Sequence, residues 1–115
     1  MRRGEVYWAE LAPRSGSEQS GRRPVVLVSR DALNRLAAWR SVNVVPLSTS
    51  ARQARCGPTT VAVARGTAGL AQDSLILCHQ VTTLDRSKLT ALIGVLPPGE
   101  LARLDQALKL ALELD

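Results

Sequence analysis

Short runs in which apolar and polar residues alternate occupy most of the chain, separated by polar, glycine-bearing stretches, and one helical stripe follows near the C-terminal end. Val6, Trp8 and Leu11 alternate with polar neighbours, the mark of a half-buried strand. Residues 14–23, RSGSEQSGRR, read as a polar loop containing Gly16 and Gly21. Pro24 then opens the apolar run VVLVS, a buried strand with proline at its permitted first position. Asp31 is set to cap a short helical turn over 32–36. Residues 42–47, VNVVPL, predict another strand, and Pro46 puts it near a sheet edge or bulge. A second polar loop spans 49–58, and residues 59–64 alternate in β-branched style. Gly66 and Gly69 break the chain before the apolar strand 75–81, LILCHQV. Ser87 caps a short helix, and 92–96 is a last strand. After Pro97, Pro98 and Gly99, the residues Leu101, Leu104, Leu108, Ala111 and Leu112 fall at i, i+3, i+7, i+10 and i+11, one apolar helical stripe. Leu110 and Leu114 lie off it and imply a second covered face. About six closely spaced strands and one helix predict a mainly β fold, a small twisted β-barrel closed by a helix. Neither repeats nor a linker interrupt the 115 residues, which read as a single domain, 1–115.

Composition narrows the chemistry. Two cysteines, Cys56 and Cys78, make no disulfide framework, and no CxxC occurs. With His79 as the one histidine, the usual zinc ligand sets cannot be assembled within one subunit, so no metal or other cofactor is expected. No apolar run approaches the ~20 residues of a membrane-spanning helix. The start, MRRGEVYWAEL, lacks the apolar core of a signal peptide, so a cytoplasmic protein without membrane contact is expected. The net charge is +5, but its distribution says more. Residues 1–65 hold eleven arginines against four acidic residues, a net of +7, whereas 66–115 carry −2. Arginine's planar, permanent fork matches phosphate, so an Arg-rich half points to a polyanionic partner.

Three segments can carry chemistry. The first is the 14–24 loop, with Gly16, Ser17, Glu18, Gln19, Arg22 and Arg23 gathering donors around one carboxylate. Arg23 precedes Pro24, which restricts it to extended geometry at the entrance to a core strand. The second is Ser48-Thr49-Ser50 at a strand end, where hydroxyls suit a phosphate or simply build a turn. The third is His79-Gln80, where strand alternation puts Cys78 and Gln80 on one face and His79 on the other. Cys78 reads as a small core hydrophobe. There is no G-x-S-x-G elbow, P-loop or G-x-G-x-x-G. Aromatic residues are 3% of the chain, too few for a stacking RRM sheet; Trp39 either stacks one base or closes the core.

Together, RGEVYWAEL, GSEQSGRRPVVLVS, VVPLSTS, DSLILCHQVTTLDRSKL and IGVLPPGELARLDQALKLAL resemble the MazF/PemK family of toxin endoribonucleases along nearly the whole chain. The resemblance implies a homodimer of SH3-like barrels of the MazF/Kid/CcdB type. It implies metal-independent, sequence-specific cleavage of single-stranded RNA, with an acidic, MazE-like antitoxin that blocks the site. Carried over by motif, the catalytic arginine is Arg23, and the family's threonine falls on Ser48, which keeps the hydroxyl without the methyl that restrains χ1. Glu18 joins them as a catalytic candidate. Gly16, Ser17, Gln19, Arg22, Thr49, His79 and Gln80 are candidate substrate contacts. Relatives commonly carry an acidic residue where this chain has His79. In the implied mechanism a 2′-hydroxyl attacks the adjacent phosphate, Arg23 stabilises the phosphorane, and Glu18, Ser48 or His79 takes the proton. The rival readings are a CcdB-like toxin that poisons DNA gyrase without catalysis, and a nucleic-acid-binding module that leaves the strand intact.

Overall fold

The computed structural model describes residues 1–11, 21–49 and 57–114. Seven strands lie within them: β1 (Glu5–Leu11), β2 (Gly21–Leu27), β3 (Ser41–Ser48), β4 (Thr60–Val63), β5 (Ser74–Leu77), β6 (Thr82–Asp85) and β7 (Leu89–Val95). Two α-helices, α1 (Asp31–Asn34) and α2 (Pro98–Leu112), and short 3-10 turns at Thr67–Gly69, Cys78–Gln80 and Arg86–Lys88 accompany them. The strands form one antiparallel sheet in the order β4-β5-β3-β2-β1-β7, with β6 also paired to β3. The fold is mainly β with a C-terminal helix, as expected. Among the described residues no ladder joins β4 to β7, so the sheet stays open.

Both faces of the sheet are packed. Val6, Val26, Val45, Leu47, Ile76 and Leu104 belong to a core beneath α2, and Ala9, Val25, Leu27, Val42 and Val44 to a second cluster on the other pleats. α2 buries Leu104 and Ala107 and packs Leu101 and Leu108 against the first core. It is pinned at both sides: the Arg103 guanidinium donates to the Ala62 carbonyl on the edge strand β4, and Arg3 pairs with Asp105 at 2.8 Å. Covering β4 in this way protects an edge that would otherwise offer free backbone groups. The predicted stripe is shifted, because Leu112 is 53% exposed and Leu110 and Leu114 are exposed as well, so the second covered face is not present in the chain alone.

Several local expectations change. Gly21–Leu27 starts three residues earlier than the apolar run, so Pro24 lies inside β2. It stands one residue before the ladder to β3 begins at Val25↔Pro46, so no hydrogen bond is lost on that side. β3 is central rather than at an edge. Pro46 fits there because β6 pairs with residues 41–44 and β5 with Leu47 and Ser48, leaving Pro46 in the gap between them. The apolar run 75–81 is a strand only to Leu77; Cys78–Gln80 forms a 3-10 turn, which breaks the alternation and leaves Cys78 buried and His79 exposed. Asp31 does not cap α1; it is the first helical residue and accepts from the Arg3 backbone N–H at 2.6 Å. Asp85, not Ser87, caps the 3-10 turn Arg86–Lys88. Trp39 is 45% exposed and takes no part in the core. The segment that carries it is held by Arg86, whose guanidinium donates to the carbonyls of Leu33, Asn34, Leu36 and Trp39. A four-residue helix is too short to hold itself, and this clamp supplies the missing anchorage.

Candidate active site at the rim of the sheet

The rim is built where β1, β2 and β3 end together. Leu11 pairs with Gly21, Glu10 with Arg22, Ala9 with Arg23 and Trp8 with Pro24. On the other side of β2, the last pair is Val25↔Pro46, and two residues beyond it on each strand stand Arg23 and Ser48. Register alone therefore brings the arginine and the serine singled out by sequence to neighbouring strands at the same level. Restriction by Pro24 keeps the Arg23 backbone extended, and its neighbour Val25 anchors the strand in the core.

A cavity of about 300 Å³ opens here. Arg22, Arg23 and Pro24 form one wall with Trp8, and Thr49 lines it from β3's end. The Arg22 guanidinium carbon lies 4.3 Å from the centroid of the Trp8 ring, a cation–π contact between diagonal cross-strand neighbours. The opposite wall is the turn carrying Gly69, Leu70, Ala71 and Gln72, together with Ser74 and Ile93. That turn is fixed by backbone contacts. Gly69 has φ +77°, and a Cβ on it would lie 2.6 Å from the Ile93 carbonyl oxygen; a Cβ on Gly94 would meet the Ala68 carbonyl oxygen at 2.3 Å. The two glycines let the turn press directly on β7. Within it, Gly66 N–H donates to Leu70 O at 2.8 Å, and Ser74 Oγ donates to Gln72 O at 2.9 Å.

Sequence candidates divide accordingly. Arg22, Arg23 and Thr49 line the cavity. Ser48, 3% exposed, is buried beside Thr49 rather than on the cavity surface. His79 and Gln80 are not among the lining residues; His79 Nδ1 is 3.2 Å from Thr59 Oγ1. Gly16, Ser17, Glu18 and Gln19 lie outside the described residues, in the segment that joins β1 to β2, and so do Ser50 and Cys56. Cys78 is fully buried, and burial, with Asp105 adding to it, pushes its thiol up to about 12, which removes it as a nucleophile at neutral pH. Among the described residues no three of His, Cys, Asp or Glu converge to hold a metal ion. No helix among them is long and apolar enough to cross a membrane. The reading from sequence did not single out Trp8, Gln72, Ser74 and Ile93, which line the cavity. Trp8 had a signal, an aromatic on the strand preceding an Arg-Arg-Pro; the other three are brought in by tertiary packing alone.

Residues 2–112 match the family described as PemK-like, MazF-like toxin of type II toxin-antitoxin system. The chain belongs to this family. It is 36% identical over 115 residues to the endoribonuclease MazF of Staphylococcus epidermidis, covering all of this chain and 93% of that protein. It is 35% identical over 114 residues to the endoribonuclease EndoA of Bacillus subtilis (strain 168), covering 99% of this chain and 96% of that one. The fold superposes on a mycobacterial endoribonuclease solved in complex with its cognate antitoxin, with a TM-score of 0.80, 28% identity, and coverage of 100% of this chain and 97% of that one. A MazF-like chain thus presents an Arg-Arg-Pro strand end, Thr49 at the end of β3 and an aromatic ring around this cavity, with Ser48 buried next to Thr49.

Proposed function

We propose that this chain is a toxin endoribonuclease that cleaves single-stranded RNA, acting in the cytoplasm as a homodimer and restrained by an acidic antitoxin. The observation that carries the reading is the pairing of family membership with Arg23 at a strand rim, beside Ser48 and Thr49 and lining an open cavity. The reaction uses RNA's own nucleophile. The 2′-oxygen forms a bond to the adjacent phosphorus as the bond from phosphorus to the 5′-oxygen breaks, giving a 2′,3′-cyclic phosphate and a free 5′-hydroxyl. One proton leaves the 2′-hydroxyl and one is delivered to the departing oxygen. The extra charge on the phosphorane sits against the Arg23 fork, a fixed cation that needs no reorganisation at the moment of reaction. Its planar fork offers parallel donors to the phosphorane oxygens, so Arg23 is read as charge stabiliser. His79 is engaged with Thr59 away from the cavity. In this reading the proton acceptor is Glu18, named by motif alone, since a carboxylate is a better base than a hydroxyl; Ser48, buried at the end of β3, orients the strand end that presents Thr49.

Purified protein incubated with a labelled transcript in EDTA is expected to cut it at defined sites. A single 2′-deoxy substitution at a mapped site is expected to abolish that cut. Cutting of the deoxy substrate would overturn the mechanism, and binding without cutting would overturn the enzyme. Arg23→Lys keeps the charge but loses the fork, and should lower kcat by at least about a hundredfold, the scale of one lost transition-state contact.

A further inference from the structure

Arg22, Arg23, Thr49 and Ser74 give the cavity its polar groups, and the rest of its wall is apolar. Trp8, Pro24, Leu70, Ala71 and Ile93 line that part, and Gln72, exposed on the turn, is the amide at its edge. An anion pressed against the apolar part, away from the arginines, would lose its water against hydrocarbon. A flat, weakly polar ring would not. The Arg22 guanidinium is already drawn onto the Trp8 ring at 4.3 Å, so its charge is partly engaged and its planar group stands at the cavity wall. Unpaired bases are held in just such surroundings, stacked on aromatic rings or guanidinium planes and bonded along their edges by amides and hydroxyls. The volume of about 300 Å³ is at the small end of ligand pockets and suits one ring system rather than an oligonucleotide. The walls are also held apart in advance, since the Gly69 and Gly94 contacts lock the far turn against β7.

We propose that this cavity is a nucleobase pocket. An unpaired base flanking the scissile phosphate stacks on the Trp8–Arg22 pair, and the Gln72 amide reads its edge. The phosphate of the same strand then lies towards Arg23 and Thr49. The inference rests on the nuclease reading for its ligand, but not for its test.

The chain has two tryptophans, so Trp39→Phe leaves Trp8 as the sole indole reporter. That variant is titrated with short single-stranded 2′-fluoro RNAs, which lack the attacking hydroxyl and cannot be cut by this route. Saturable quenching of Trp8 emission is expected, lost when one particular position is made abasic. Gln72→Ala, on an exposed turn, is expected to flatten the preference among the four bases at that position, and Arg22→Ala to weaken binding about tenfold, in the range of one lost stacking contact. The pocket is overturned if an end-labelled strand fails to bind, or binds by anisotropy while Trp8 emission stays constant. It is also overturned if no abasic position matters, or if Gln72→Ala keeps the parent's base preference. RNA cutting by the parent protein with a silent Trp8 would remove the pocket and keep the nuclease; quenching without any RNA cutting would do the reverse.

Discussion

Cys78 and Asp31 differ in how their surroundings set their protonation, and each makes a measurable claim. Cys78 is enclosed beneath α2, with Sγ 3.9 Å from the Leu104 carbonyl oxygen, and its thiol is pushed up to about 12. Only the thiolate attacks an alkylating reagent, so Cys78 is expected to stay unlabelled by iodoacetamide at pH 8 in the native protein and to label fully in denaturant. Mass spectrometry of the peptide carrying it decides the matter; rapid native labelling would mean that α2 lifts off the sheet. Asp31 is held below the ordinary carboxylate range, first by the Arg3 backbone N–H and then by the Asn34 side chain. A depressed folded value contributes stability that is present above the unfolded value, near 3.8, and is lost as pH falls through the folded one. Asp31→Asn should therefore lower the urea midpoint at pH 7, and the gap to wild type should narrow as pH falls from 3.8 through the lowered folded value, where the parent's carboxylate becomes neutral too. An equal loss at both pH values would show that the contact does not depend on charge.

Among elements, the turn from Gly66 to Gln72 and strand β7 depend on each other most directly. A methyl group at residue 94 would sit 2.3 Å from the Ala68 carbonyl oxygen, so Gly94→Ala must push the turn outward. The cost should be about 1–3 kcal/mol, the range for overpacked sites, and the displaced wall should weaken RNA binding at the cavity. Gly99→Ala is the control, because nothing lies within 4 Å of its added Cβ. Urea midpoints of the two variants check the prediction, and equal values would refute it. The same turn marks what sequence could and could not disclose. Strand β4 and the helix α2 were legible because alternation of period two and the 3.6-residue stripe record which side is buried, whereas β7, read from its apolar run as 92–96, spans Leu89–Val95 with no alternation in burial. Pro46 was misleading, since proline excludes a ladder bond but not a central strand whose partners change at that point. Residues 78–80 were misleading in the same way, since an apolar run cannot show where its strand turns into a 3-10 turn. Arg22, Arg23 and Thr49 were legible as a cluster at one rim because motif and strand end coincide. Gln72 and Ile93 were not, because no local pattern records that they will face Trp8.

For the whole molecule, the uneven charge is the property that governs encounter with RNA. The first 65 residues carry +7 and supply β1, β2 and β3, whose ends make the basic wall of the cavity; the remainder carries −2 and supplies the opposite wall and α2. Arg3 and Asp105 join the two parts at 2.8 Å, and Arg40 pairs with Asp85 at 3.0 Å, so some of the arginine charge is neutralised away from the rim. Arg22 and Arg23 stand next to each other at the rim, both lining the cavity. Each phosphate that a protein neutralises on a single strand contributes about −0.7 to the slope of log Kobs against log salt concentration. Arg23→Gln should therefore make that slope shallower by about 0.7, measured by anisotropy with an uncleavable 2′-fluoro strand. Gln72→Ala, which removes an amide and no charge, should weaken binding to the preferred strand and leave the slope unchanged. The pair of variants separates the two kinds of contact at one rim, since charge neutralisation responds to salt and edge reading does not. An unaltered slope in Arg23→Gln would mean that its guanidinium meets no phosphate in the complex, and the assignment of Arg23 to the phosphorane would fall with it.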